Sequence, residues 1–556
     1  MGLRNKGAAS ITMHHTLTIK NPRYSSSQLA LLFSLLAGAL FLIRYGYGYG
    51  FSDQDELLPL ITHWLNPELL ANDWFVSLQT RGFGIRTFLA RVIWLPALVV
   101  DLKHVVFAFH VVVLIGLGIA VYRIAWSLYA RQLSAGLAVI LVMTVTTRFN
   151  PGGNDIIHAM LVSSSVSWCL GLWSLERLMN AKMLASGILI SFALLSHPLV
   201  GLQIGAILAV VVLLDKQVNR AGFLLPMAFT AIPLVILFAN LGTPSISDPS
   251  FSISENVLDP TFIMTHLRVP HHYLPSAFSS ASWLKLSALA LLTLGFWIAS
   301  KAPLFELLKG RQELRTRPEV LIVRIIVLLI AVLAVAFLFT DVWEIPNVVR
   351  LQPFNLSVFL RVATSIVLAQ ALCELMPREM YSYIERTLHK GWLFVSVVFL
   401  FGAIAIYVNI GPNARLADRT DLEAFFDTAE SESHPDAVFA IPPSMSGFQV
   451  GANRAQFVSF KSFPFSSQPT LEWLRRLRLT APVENLEPGG VPLLERFDAA
   501  YAAQDPDYWK EILQREHIDF VVRQRQDGDE WTEHIEPAWC SNNWCVYWAG
   551  RILTPR

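Results

Sequence analysis

Apolar and polar positions fall along this chain in long alternating blocks. Runs rich in Leu, Ile, Val, Phe and Ala lie near residues 28–43, 105–127, 133–147, 157–175, 183–198, 199–214, 221–241, 282–300, 319–340, 355–376 and 391–409. Most approach the ~20 residues a helix needs to cross a hydrocarbon layer, so the pattern predicts a mainly α, polytopic membrane protein of about 11 transmembrane helices. The stretch 183–214 is too long for one crossing, and Pro198 divides it near its middle.

The first loop, residues 44–104, has a different texture. It opens on the run "YGYGYG", which reads as a flexible interface collar. Leu57, Leu58, Ile61, Leu65, Leu69 and Leu70 then recur at helical spacing, interrupted by Asn66, Asn72, Asp73 and Arg81. That pattern predicts helices lying along the membrane surface. Residues 84–101 are apolar but short and carry Arg91 and Pro96, so they are expected to lie at the surface or re-enter rather than cross.

Beyond residue 410 the period shortens. "DAVFAIPP", "AQFVSF", "IDFVVR" and "WCVYWAG" read as strands, and "TDLEAFFDTAES", "PTLEWLRRLRL" and "PDYWKEILQREH" as amphipathic helices. This alternation predicts a small α/β domain. The expected division is a cytoplasmic tail over 1–27, a transmembrane domain over 28–410 and a soluble domain over 411–556.

Composition agrees with the pattern. The chain is 54% hydrophobic and 15% charged, against about 25% charged in soluble domains. A net charge of +1 argues for no nucleic-acid partner; the lipid bilayer is the partner the pattern implies. Lys and Arg should gather in short cytoplasmic loops. Arg123 and Arg131, Arg177 and Lys182, Lys216 and Arg220, the basic run from Lys301 to Arg317, and Arg378, Arg386 and Lys390 all fall on one side if residues 53–103 do not cross. The first loop, the 148–156 loop, the His197–Pro198 break, the 242–281 and 341–353 loops and the C-terminal region then share the outer face. Cys169 and Cys373 sit in apolar runs, whereas Cys540 and Cys545 in "WCSNNWC" are spaced for a disulfide and hence an oxidising compartment.

The outer face collects the candidate chemistry. Asp53, Asp55 and Glu56 stand together at the mouth of the first span, either as acids of a helix N-terminus or as functional groups. Asp155 and His158 follow in "RFNPGGNDIIHAM", His197 at the proline break, and Arg268, His271 and His272 in "THLRVPHHYLP"; Arg350 and Arg361 flank "LQPFNLSVF". Acids come early and arginines late, so one group suits proton abstraction and the other a phosphate. An interfacial His is more often a hydrogen-bonded structural residue, and adjacent His on a helix do not share a face.

A cytoplasmic start, a first span, a long outer loop opening on an acid, many further spans and an outer C-terminal domain together resemble the GT-C superfamily of polytopic glycosyltransferases, closest to its uncharacterised bacterial members. The resemblance covers most of the chain and rests on architecture; only Asp53 or Asp55 matches by position. It implies an inverting transfer of a sugar from a polyprenyl-phosphate-linked donor to a glycan, lipid or protein of the cell envelope. The reaction would take place on the periplasmic side of a bacterial inner membrane. The first-loop Asp would be the general base, with Asp155 or His158 orienting the acceptor. Arg268, His271, His272 and Arg350 would hold the leaving phosphate, and Glu56, His197 and Arg361 would complete the substrate site. Some members need a divalent metal (Mg or Mn) and others no cofactor; any metal here would fall to Asp53, Asp155 and His158. The C-terminal region lacks a "WWD"-type motif, which argues against protein N-glycosylation. The rival expectations are a non-catalytic accessory subunit of envelope polysaccharide assembly or export and, less well supported for want of inverted repeats, a transporter.

Overall fold

The computed structural model describes residues 26–215, 218–241, 258–299, 318–384, 420–525, 531, 534–541 and 543–554. The expected N-terminal tail and the apolar run near 391–409 lie outside these residues. The chain is mainly helical and carries a small sheet near its C-terminus. Among the described residues four helical stretches are long and apolar enough to cross a membrane: Ser26–Tyr45, Leu102–Tyr129, Leu321–Val342 and Pro346–Leu375. Shorter apolar helices of 10–17 residues accompany them.

Helix α1 (Ser26–Tyr45) leads into the first loop, which contains α2 (Leu58–Leu65), α3 (Trp74–Thr80) and α4 (Thr87–Ala97) before α5 (Leu102–Tyr129). Helices α1 and α5 run antiparallel: Gly38 lies beside Leu114 and Gly118 beside Ser34. The loop therefore leaves and re-enters the bundle at one end. At 11 residues α4 is too short to span, and Leu95, Leu98, Val99 and Val100 at its end are exposed, as suits a helix lying in an interface. The tyrosine–glycine run is a packed turn rather than a flexible collar. Gly46 and Gly50 adopt positive φ, Tyr47 is buried edge-on against Phe107, and the Gly48 amide donates to the Ala159 carbonyl at 2.7 Å.

The chain then continues up and down through α6 (Gln132–Ile140, extended by a π-turn, Leu141–Val145), α7 (Ser163–Met179), α8 (Met183–Ser196), α9 (Pro198–Leu214) and α10 (Arg220–Leu241). Helix α7 starts six residues later than its apolar run, because Ile157, Leu161 and Val162 are buried as part of an irregular loop. Pro198 opens α9 at its first turn, where a missing N–H costs nothing, so the 183–214 run becomes two helices. Helices α11 (Ser280–Ala299), α12 (Pro318–Phe337) and α13 (Leu356–Leu375) close the bundle. One continuous apolar core joins residues of α1, α5–α9, α12 and α13.

The C-terminal residues build a five-stranded sheet in the order β2-β1-β3-β5-β4: β1 (Val438–Ala440), β2 (Ala455–Gln456), β3 (Phe520–Gln524), β4 (Trp539–Cys540) and β5 (Trp544–Trp548). β2, β1 and β3 are parallel, and β5 is antiparallel to both β3 and β4. Helices α14 (Thr420–Ser431), α15 (Ser467–Thr480), α16 (Val491–Ala502) and α17 (Pro506–Glu516) flank it. A disulfide joins Cys540 to Cys545 across the β4–β5 hairpin. The segment 263–274 contributes Ile263, Leu267 and Tyr273 to the same core as Trp473, Phe497 and Trp509, which welds sheet and bundle together.

Candidate active site

Residues Ser52–Glu56 form one 3-10 turn, and each polar side chain in it goes to a different part of the molecule. Asp53 accepts from Lys461 Nζ at 2.6 Å. Gln54 donates to the Leu161 carbonyl at 3.2 Å and accepts from the Gly50 amide at 2.7 Å. Asp55 Oδ2 accepts from Ser446 Oγ at 2.5 Å and the Gly447 amide at 3.2 Å. Glu56 is buried between two guanidiniums, Arg86 and Arg268, the latter at 2.9 Å. The turn has no side-chain cap, so the acids are not capping groups. A 3-10 turn aims successive side chains about a third of a circle apart, and three acids in four residues can thereby tie three segments together.

The segment "AQFVSFKSFPFSS" lies over this turn. Lys461 meets Asp53, the Phe463 ring lies 4.6 Å from the Arg268 guanidinium, and Phe465 lies 6.0 Å from that of Arg86. Arg268 also donates to the Lys461 carbonyl at 2.8 Å. Burial alone would raise the Asp53 pKa. The Lys461 ammonium, by charge and hydrogen bond, with His158 and Arg86 behind it, instead holds the carboxyl well below the usual carboxylate range. Asp53 is thus ionised, and weakly basic while Lys461 remains on it.

His271 and His272 share the one-turn helix Pro270–Tyr273. Their rings meet at 4.3 Å, contrary to the divergence expected of helical neighbours, because both pack onto the side-chain-free Gly153. His272 Nδ1 lies 2.6 Å from the Gly152 carbonyl; the ring donates there, leaving Nε2 as an acceptor. Burial, reinforced by His271, pushes the His272 pKa down to about 4, and His272 feels the Asp53 charge. His197 caps α9, accepting from the Val200 amide at 3.3 Å, and also lies within reach of Asp53's field. Arg350 stands apart, half-buried after the short helix Pro346–Val349.

Asp155 and Arg361 are joined to each other. Arg361 is fully buried on α13 and donates to Asp155 Oδ1 at 2.7 Å, the Val142 carbonyl at 3.0 Å and Thr146 Oγ1 at 3.0 Å. The Arg148 and Ile156 amides occupy Asp155 further, at 2.6 and 2.7 Å. This pair ties the 146–162 loop to the top of α13. Beside it opens a cavity of about 320 Å³ lined by Tyr45, Thr147, Arg148, Asn150, Asn154, His158 and Ser282, among others. Thr147 Oγ1 and Asn150 Oδ1 are buried there without hydrogen-bond partners. Arg148, at φ 64, holds its guanidinium 5.1 Å from the Tyr45 ring and is exposed. His158 borders this cavity and also acts electrostatically on Asp53, which links the two places.

Asp53, Glu56, His158, His197, Arg268, His271 and His272 therefore gather at one end of the bundle. Lys461, Arg86, Thr147 and Asn150 complete the cluster without having been legible in the sequence. A lone lysine among four phenylalanines in "FVSFKSFPF" is the one signal that pointed to Lys461. Among the described residues no group of three or more His, Cys, Asp or Glu is placed to hold a metal ion. Asp155 is committed to Arg361 and backbone amides and Asp53 to Lys461, so Asp53, Asp155 and His158 do not form a ligand set.

Comparison with protein families matches residues 420–480 to a domain of unknown function (DUF6798); that stretch includes Ser446 and Lys461. No curated protein matches. Among solved structures the chain is similar to ArnT from Cupriavidus metallidurans in the apo state, at 11% identity and a TM-score of 0.49, covering 96% of this chain and 100% of that one.

Proposed function

We propose that this chain is an inner-membrane glycosyltransferase of the GT-C type, taking a sugar from a polyprenyl-phosphate-linked donor to a cell-envelope acceptor. The reading rests on one observation: an ionised, accessible acid, Asp53, stands among cations and neutral histidines at one end of an apolar helical bundle, next to a polar cavity. Asp53 takes the proton of the acceptor hydroxyl or amine, whose oxygen or nitrogen attacks the anomeric carbon. The bond to phosphate breaks, and the phosphate keeps the electron pair. Lys461, His158 and Arg148 are the cations and donors left to meet that charge; Arg268 and Arg86 are engaged by Glu56 and act by fixing the turn. The orphaned Thr147 and Asn150 atoms suit the hydroxyls of a sugar. A prenyl chain would lie between the spans, which accounts for a site at the bilayer edge. The periplasmic placement of this end belongs to the same proposal.

Asp53→Asn removes the proton acceptor while keeping shape. Purified wild type and Asp53→Asn are compared by mass spectrometry for co-purifying prenyl-phosphate sugars. Donor enriched on the variant is the expected result. No prenyl lipid on either protein would overturn the assignment in favour of a non-catalytic subunit, a reading that the purely binding roles of Asp55 and Glu56 favour.

A further inference from the structure

Among the described residues four carboxylate–cation pairs surround the Ser52–Glu56 turn and the neighbouring cavity, and they are of two kinds. Glu56 with Arg268 is 4% and 6% exposed, Asp155 with Arg361 6% and 0%, and Glu56 with Arg86 4% and 15%. Asp53 with Lys461 is 44% and 32% exposed. The first three are sealed and bear extra hydrogen bonds, so they hold segments together. The fourth is partly open at the surface, so its ammonium is the one within reach of an entering group.

The backbone carrying Lys461 is nevertheless fixed. Its carbonyl accepts from Arg268, which is locked on Glu56. Upstream, Ser446 both donates to Asp55 and accepts from the Ser52 amide at 2.7 Å. Only the flexible four-carbon stem and its ammonium are free to change partner. Around the pair stand Arg86 from the first loop, His158 from the 146–162 loop, His197 from the α8–α9 break, and His271 and His272 from the Pro270–Tyr273 helix. The neighbouring acids, Glu56 and Asp55, are already taken by Arg86 with Arg268 and by Ser446 with the Gly447 amide, and the remaining groups are neutral or cationic, a setting that admits an anion.

We infer that Lys461 is a substrate-operated mask on Asp53: a phosphate group entering the site takes the Lys461 ammonium from the carboxylate and so frees Asp53 to accept a proton. The donor's phosphate is a diester with one negative charge and two free oxygens, and a charge-assisted N–H···O bond to it matches the one that Asp53 makes, so the ammonium can pass from the carboxylate to the phosphate. Lys461 keeps all its protons throughout; what changes is the basicity of Asp53. The base is then switched on only when the group to be cleaved is in place, and water is not activated in its absence. The C-terminal region takes part in the chemistry through this residue. The inference rests on Asp53 being the base.

The test is an infrared pH titration of the Asp53 carboxyl in detergent-solubilised full-length protein, its band identified by subtracting the Asp53→Asn spectrum. In wild type the band should titrate below the usual carboxylate range. In Lys461→Met its midpoint should move up by about 1 to 3 pH units, the span that loss of a neighbouring opposite charge produces. Geranyl phosphate added to wild type should move the midpoint the same way, and should leave Lys461→Met unmoved. Inorganic phosphate acting equally well would assign the effect to the phosphate alone. Action by geranyl phosphate only would assign it to a headgroup positioned by its tail. A wild-type midpoint that neither anion moves overturns the inference, as does a Lys461→Met midpoint equal to wild type. The wild-type arm does not depend on how the variant folds. The titration needs no turnover, so its failure is distinct from finding no donor lipid on the protein.

Discussion

Asp155 and Arg361 carry full charges with almost no access to water. Taking two ions out of water costs several kcal/mol each, recovered only through mutual attraction and further hydrogen bonds. Arg361 has three such partners and Asp155 two backbone amides besides. Arg361→Met should therefore cost about 3–5 kcal/mol by stranding the carboxylate. The double variant Asp155→Asn with Arg361→Met should cost less than the single one. Thermal unfolding of the two in detergent measures the order; a double variant weaker than the single one would show that the pair does more than balance charge. Both residues were legible in the sequence as polar groups at the mouth of the bundle, but not their bond. Their separation of 206 residues leaves no local trace, and in a one-dimensional reading a charge already taken looks the same as a charge on offer.

Among the elements, the apolar runs that fall in the described residues translated into helices with little loss, because length and hydropathy are local properties. The ends did not. Buried apolar loop residues at 156–162 mimic a helix start, and π-turns close α6 and α12. Four of the five strands were legible from their β-branched and aromatic runs; β4, two residues long, was not. Helix α16, "VPLLERFDAAYA", was passed over, as its apolar face is broken by charges. What holds the elements at their spacing is the small residues. A Cβ on Gly118 would lie 2.7 Å from Ser34 Cβ and 2.9 Å from its Cα, so α1 and α5 touch there. Gly118→Val must push the two helices apart, at a cost of about 1–3 kcal/mol. Chemical denaturation should show that loss. Because α1 leads directly into the Ser52–Glu56 turn, binding at the site should weaken too.

For the molecule as a whole, the first loop, the 148–156 loop, the His197–Pro198 break and the 263–274 segment meet at one end, as the charge and apolar pattern led one to expect of them. The antiparallel α1 and α5 keep the first loop on one side, and the C-terminal sheet docks there through Asn72 to the Asp436 carbonyl and through Asp73 to Gln449 and Gln456. The docking itself had no sequence signature, since it is made of single polar residues far apart in the chain. Single cysteines test the arrangement in a Cys169→Ala, Cys373→Ala background. Glu68→Cys and Glu432→Cys should react with an impermeant maleimide from one side of sealed vesicles, and Glu379→Cys from the other. Glu379→Cys reacting from the same side as Glu68→Cys would refute the topology.

The contact between Asp53 and Lys461 joins residues 408 positions apart. Translation at about 5–20 residues per second separates their appearance by roughly 20 to 80 s. Through that interval the acid sits at the head of the first loop without the ammonium that later covers it, while the spans that will surround it are still being made. The residue to which the chemistry is assigned is thus among the first to be synthesised and among the last to be neutralised. A nascent chain halted before its final quarter would carry a bundle with an open, unguarded acid.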